Sequence, residues 1–263
     1  MAANVLFVFE GERTEDIIVK SLEKNVLSNK NLIIKCVFAA EIYQLYQEIA
    51  EDGDLDTFSL IKGRNIRNRN ALTGYSRKDF AEIYLFFDYD AHASVKDGDR
   101  KLKDMINLFD NETNNGKLYI SYPMVEALRH IVNYDTFHNL TVKCKGNNCP
   151  YQDNCDVEDE CKNEPHYKTR VSNESIPQLC NINGYTEEIW KKLINAHLSK
   201  MNYIVHNIYD YPHTTESQQH IFNKQLMKHI NKQCPEVSVL SAFPVFVHDY
   251  YGTQRTREFI FGY

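Results

Sequence analysis

Glu10, Asp88 and Asp90 are the residues whose types and spacing point most directly to chemistry. Glu10 ends the apolar run VLFVFE (5–10) and is followed by Gly11. Asp88 and Asp90 close the run IYLFFDYD (83–90). A glycine after the acid lets the backbone turn tightly and come close to a ligand. In an extended chain residues i and i+2 share a face, so the carboxylates of Asp88 and Asp90 can converge. Three carboxylates at adjacent strand ends repel one another unless a cation sits between them. Oxygen-only ligation suits Mg²⁺ or Mn²⁺, which bind through one or two carboxylates plus phosphate. Either motif alone reads as ordinary strand-end acid; the two together, in this order, favour a site.

Two further clusters stand out. In KGRNIRNRN (62–70), Lys62, Arg64, Arg67 and Arg69 are interleaved with Asn65, Asn68 and Asn70. Cations neutralise phosphates, and asparagine can hydrogen-bond phosphate or base edges, so this segment is a candidate nucleic-acid contact, with a solvated loop as the plainer reading. In the second cluster Cys144, Cys149, Cys155 and Cys161 are spaced C-x4-C-x5-C-x5-C, with His166 following. Clustered cysteines in a cytosolic chain point to metal rather than disulfides. Four thiolates suit a closed structural Zn²⁺ site, with an Fe–S cluster as the alternative. Cys36, Cys180 and Cys234 are isolated and read as packing residues.

The elements that must position these residues alternate. Strand-like runs at 5–10, 32–40, 83–90 and 117–123 are separated by helix-like stretches at 14–27, 41–51, 99–112 and 124–132, with a polar interruption at 52–80. Thr14 reads as an N-cap. This alternation argues for an α/β protein with a mostly parallel sheet. In such sheets ligands bind beyond the carboxyl ends of the strands, where Glu10, Asp88 and Asp90 fall. Helical stretches follow near 185–206 and 214–232, and VSVLSAF (237–243) reads as a last strand. His248 and Asp249, in VFVHDYYG (245–252), would complete the site only if the C-terminus returns to the sheet, and the site is not built on them.

The chain of 263 residues carries a formal net charge of −6 and is 43% hydrophobic, which excludes a protein that is basic throughout but not a local basic patch. No apolar run has the ~20 residues of a membrane helix. MAANVLFVFEGE lacks the basic n-region of a secretory signal. A cytoplasmic protein is expected.

FVFEGERTE followed by FFDYDAH resembles the TOPRIM domain of topoisomerases, DnaG-type primases and OLD-family nucleases, which has a Glu after its first strand and a DxD after a later one. ISYPMVEALRH (120–130) is similar to the Ser-Asn-Pro…Phe-Glu segment of stand-alone RloB-like TOPRIM proteins, with Tyr122 where Asn is usual. The resemblance spans about residues 4–133. It implies a Rossmann-like sheet whose acids bind Mg²⁺ for phosphodiester chemistry. By it Glu10 is a metal ligand or general acid/base, Asp88 and Asp90 hold metal, and Glu126 is a further ligand or proton-transfer group. Stand-alone relatives are linked to phage defence, sometimes beside an ATPase, and one in the PARIS defence system cuts tRNA. This chain has no Walker G-x-x-x-x-G-K-[ST], so a nucleotide-driven switch would lie on an ATPase partner.

The expectation is a TOPRIM core over 1–135 with a basic insertion at 52–80, a Cys-rich metal-binding insertion over 136–170, and a helical part over 171–263 whose final strand returns to the core. Its function would be metal-dependent cleavage of DNA or RNA, tRNA included, as a toxic effector; a homo-oligomer is compatible. The competing reading is a non-catalytic module that binds nucleic acid or a partner. His130 is read as a satisfied structural histidine, and His166 is left without a role.

Overall fold

The computed structural model describes residues 3–11, 13–27, 32–38, 42–89, 98–143, 166–232 and 234–262. The fold is mixed α/β, with a multi-strand sheet and a helical C-terminal segment. The chain forms two compact units: Met1–Phe87 with Asp99–Tyr119, and Asp88–Gly98 with Ile120–Tyr263.

The sheet of the first unit contains β1 (Ala3–Phe9), β2 (Leu32–Phe38), β3 (Phe80–Asp88), β4 (Asp110–Asn111) and β5 (Gly116–Ser121), in the order β2-β1-β3-β5-β4. β1 runs parallel to both β2 and β3, with Phe9 opposite Phe38 and Phe86. Short β4 is antiparallel to β5. A strand buried on both faces needs a continuous apolar run. Val5 to Phe9 and Ile83 to Phe87 supply it, all at 5% exposure or less. Phe9 stacks on Phe86 with ring centroids 5.1 Å apart.

Helix α1 (Arg13–Asn25) buries Ile18, Val19 and Leu22 at helical spacing. It starts one residue before Thr14, which therefore lies in the first turn and is not the cap; Glu15 and Asp16 there suit the positive end of the helix dipole. Helix α2 (Ile42–Glu51) follows β2. The polar interruption at 52–80 is two short helices rather than a loop, α3 (Thr57–Arg64) and α4 (Ile66–Ala71). Asn65 joins them: it is extended, ends α3, and accepts the Asn68 N–H at 2.8 Å to start α4. Phe58, Ile61 and Leu72 anchor the pair. Helix α5 (Gly98–Leu108) buries Leu102, Met105 and Ile106.

In the second unit the residues after β5 form a 3-10 turn, Val125–Arg129, where the sequence suggested a helix over 124–132. Four consecutive residues, Val125 to Leu128, are buried, so no amphipathic face exists. The Leu128 carbonyl is taken by His197 Nε2 at 3.1 Å rather than by a helical N–H. Helix α6 (Tyr167–Glu174) is followed by α7 (Glu187–His206), capped by Thr186 and ended by Asn207 in the left-handed region. Helix α8 (Gln218–Gln225) continues as a π turn over Leu226–Ile230. β6 (Thr141–Lys143) and β7 (Glu236–Ser238) form a separate antiparallel pair. The last strand is thus shorter than 237–243. Ser241 caps helical segment α9 (Ala242–Phe261), which contains the stretch 245–252 and kinks at Gly252, where φ is +75°. Leu240 still reaches the end of β5, exchanging backbone hydrogen bonds of 2.8 and 3.0 Å with Tyr122.

Lys200 is fully buried on α7; its ammonium donates to the carbonyls of Phe137 and Leu140 at 2.8 and 2.6 Å and lies 4.3 Å from the Phe137 ring centroid. No described helix is long and apolar enough to cross a membrane.

Candidate functional site

Glu10 follows the last residue of β1 and is half-buried. Asp88 is the last residue of β3, also half-buried. Because β1 and β3 are parallel neighbours, both acids come at carboxyl ends of strands, the position the sequence suggested. Asp90 lies outside the described residues, as do Cys144, Cys149, Cys155 and Cys161.

Next to Glu10 the Gly11 N–H donates to Glu15 Oε1 at 3.2 Å. Glu15 is 6% exposed, although it belongs to the first turn of α1. A Cβ on Gly11 would sit 2.4 Å from the same oxygen. Gly11 is therefore required for this close approach, and the buried carboxylate of Glu15 is a site feature that the sequence reading passed over. Its signal was present: an acid four residues after the glycine, in the first turn of a helix.

The second unit gathers several ionisable residues around Tyr167. Glu126, on the 3-10 turn after β5, is 4% exposed. One oxygen meets Lys168 Nζ at 3.4 Å. The other, Oε2, is buried with no hydrogen-bond partner among the described residues. Burial is the main cause that raises the Tyr167 phenol well above its usual value; the charge of Glu126 adds to it, Arg170 and Arg129 oppose it, and Asp88 adds a smaller push.

Tyr167 in turn is bound to His130. The Tyr167 hydroxyl lies 3.0 Å from His130 Nδ1, and His130 Nε2 lies 3.3 Å from Glu174 Oε2. Arg170 Nε donates to both oxygens of Glu174, at 2.9 and 3.0 Å. His130 is fully buried. Burial pulls its pKa down to about 4, and Glu174 only partly offsets it. The imidazole is neutral at pH 7, with its proton on Nε2 facing the acceptor Glu174 and its Nδ1 accepting from Tyr167. His130 is a satisfied buried histidine, as expected, but one that orients a tyrosine.

The turn bearing Glu126 is latched from behind. His197 donates from Nε2 to the Leu128 carbonyl and accepts the Ser241 N–H on Nδ1 at 3.2 Å. Burial takes His197 down to about 3. Ser121 Oγ accepts the Ala242 N–H at 3.3 Å. The start of α9 therefore fixes both the end of β5 and the helix that holds the turn.

The basic cluster is divided by α3 and α4. Lys62 Nζ donates to the Tyr75 carbonyl at 2.7 Å, and Arg64 pairs with Glu48 at 2.9 Å. Arg67 and Arg69 are exposed on α4. Asn65 serves as a cap, and buried Asn68 donates to the Ile61 carbonyl at 3.1 Å, so these two asparagines hold the helices rather than face solvent. His166 precedes α6 and is exposed. His248 is 1% exposed, its Nε2 has no partner among the described residues, and burial lowers it to about 4 against the charges of Asp249 and Glu216.

Comparison with protein-family models, curated proteins and solved structures finds no significant match. Among the described residues no group of three or more His, Cys, Asp or Glu is poised to hold a metal ion. The orphaned Oε2 of Glu126 is the kind of buried acceptor that a hard cation satisfies.

Proposed function

We propose that this chain is a metal-dependent nuclease of TOPRIM type, built on a Rossmann-like sheet. One observation supports the reading: buried Glu126 has an acceptor oxygen without a partner among the described residues. By the resemblance to TOPRIM proteins Glu10, Asp88 and Asp90 would hold Mg²⁺ or Mn²⁺, with Glu126 as a further ligand or proton-transfer group. When bound, such a cation neutralises the acids and polarises a phosphodiester. The same resemblance makes Glu10 a metal ligand or the general acid/base. Lys168, largely exposed beside Glu126, is free to swing to a substrate phosphate. Exposed Arg67 and Arg69 give additional cations for a nucleic-acid backbone, DNA or RNA, with tRNA a specific candidate. The thiolates of Cys144, Cys149, Cys155 and Cys161 suit structural Zn²⁺. In the cell the reading is a toxic effector of phage defence, restrained or triggered by an ATPase partner.

The test is cleavage of plasmid, single-stranded DNA and total tRNA by purified protein with Mg²⁺, Mn²⁺ or EDTA, beside folded Glu10→Ala and Asp88→Ala proteins. Divalent-dependent products lost in both variants are expected. Products that persist in both variants contradict the assignment.

A second reading draws on the Lys168–Glu126 pair at 3.4 Å. A carboxylate that already faces an ammonium has less need of a cation, which favours a binding module without catalysis. Wild-type protein that retains nucleic acid on a filter but cuts none of it would select that reading.

A further inference from the structure

From Thr57 to Lys78 the chain carries Lys62, Arg64, Arg67, Arg69, Arg77 and Lys78 and no Asp or Glu, within a sequence whose net charge is −6. The fold divides these cations into two sets. One set holds the platform. Lys62 Nζ donates to the Tyr75 carbonyl at 2.7 Å and ties the segment after α4 back to α3. Arg64 pairs with Glu48 of α2 at 2.9 Å, which offsets its charge. Arg77 donates to the carbonyls of Phe80, Thr113 and Asn114, fastening the same segment to the start of β3 and to the turn between β4 and β5. The other set faces solvent. Asn68 and Leu72 are buried under α4. At about 3.6 residues per turn, Ile66 and Asn70 then point away from the body, with Arg67 and Arg69 on either flank. Ile66 is 63% exposed, and Arg67, Arg69, Asn70 and Lys78 are exposed as well. The side chains of Arg69 and Lys78 make no hydrogen bond or ion pair among the described residues.

We propose that the outer face of α4, together with Lys78, is a docking surface for the phosphate backbone of a nucleic acid, held without regard to base sequence. Arg67, Arg69 and Lys78 supply the charge and Asn70 a neutral donor, side-chain types that contact phosphate oxygens. The arginine fork matches phosphate geometry. The six residues of α4 include no aromatic ring on which a base could stack, so contact stays with the backbone. A lipid surface calls for a broad apolar face beside the basic one, and α4 presents Ile66 alone. Lys62 and Arg64 leave the contact set and become supports. The surface deepens the proposed function by naming how the polymer is held. It rests on that reading for the class of partner, but it needs neither a bound cation nor cleavage.

Fluorescence anisotropy in EDTA tests it, with labelled duplex DNA of two unrelated sequences and labelled total tRNA, over about 50–200 mM salt. Wild-type protein should bind all three, the two duplexes equally, and more weakly as salt rises. On duplex DNA, Arg69→Gln and Lys78→Gln should each flatten the slope of log affinity against log salt by about 0.9, the value of one phosphate contact. Arg64→Gln should leave that slope alone. Urea midpoints equal to wild type for Arg69→Gln and Lys78→Gln separate the effect from folding. No binding by the wild type overturns the surface, as does a slope that both exposed variants leave unchanged. A slope lowered as much by Arg64→Gln overturns the division into supports and contacts. Tighter binding to phosphatidylserine vesicles than to either polymer, lost in the double variant, overturns the choice of partner. Protein that passes every arm yet cuts nothing with Mg²⁺ or Mn²⁺ defeats the nuclease reading and leaves the surface standing.

Discussion

A buried carboxylate wants a partner for each oxygen, and Glu15 and Glu126 meet that need differently. Glu15 obtains a backbone N–H because residue 11 has no side chain. Glu126 keeps one oxygen without a partner among the described residues. Gly11→Ala should push the Glu15 carboxylate off the N–H and cost about 1.5–3 kcal/mol, the scale of one hydrogen bond to a charged group. Urea unfolding of the variant measures it; a midpoint equal to wild type would show that Glu15 swings aside without loss. Strand-ending acids were legible in the sequence because apolar runs stop at them. Tyr167 was not, since its partner His130 is 37 positions away, and a tyrosine among seventeen carries no local mark. Lys200 was equally hidden: only the fold brings the Phe137 and Leu140 carbonyls to it.

Among the elements, β1 and β3 could be read directly because each contains a continuous apolar run that a sheet buries, and β5 by the shorter run Leu118–Ile120. α1, α5 and α7 showed helical spacing. The segment 52–80 read as polar because its short helices are anchored by few side chains and joined by an asparagine whose capping geometry composition does not reveal. The 3-10 turn at 125–129 was misread as a helix because its competitor for the Leu128 carbonyl, His197, comes from a distant element. Beyond 236 the apolar run was too uniform to divide: β7 ends at Ser238 and α9 begins at Ala242, with Ser241 as the break. In each case a long-range hydrogen bond or a cap decided what periodicity left open.

At the scale of the whole molecule, three histidines that are buried among the described residues couple folding to pH. His130, His197 and His248 are lowered from 6.5 to about 4, 3 and 4. Between these values and 6.5 the unfolded chain binds protons that the folded one refuses, so stability is present at neutral pH and falls as pH drops below about 6.5. Each histidine contributes up to about 1.4 kcal/mol per pH unit within its window. Denaturant unfolding at pH 7, 6 and 5 should show a steep loss, shallower by about one proton in His197→Gln. A pH-independent midpoint over that range would mean that these histidines are protonated in the folded state. The central claim concerns the acids, and divalent-cation binding tests it without needing the right substrate. Mn²⁺ titration followed by electron paramagnetic resonance should show binding to the wild type, with affinity weakened at least about tenfold by Glu126→Gln and by Asp88→Asn, each replacing a charged ligand with a neutral amide. Equal affinity in all three proteins, or no binding to the wild type, would contradict it.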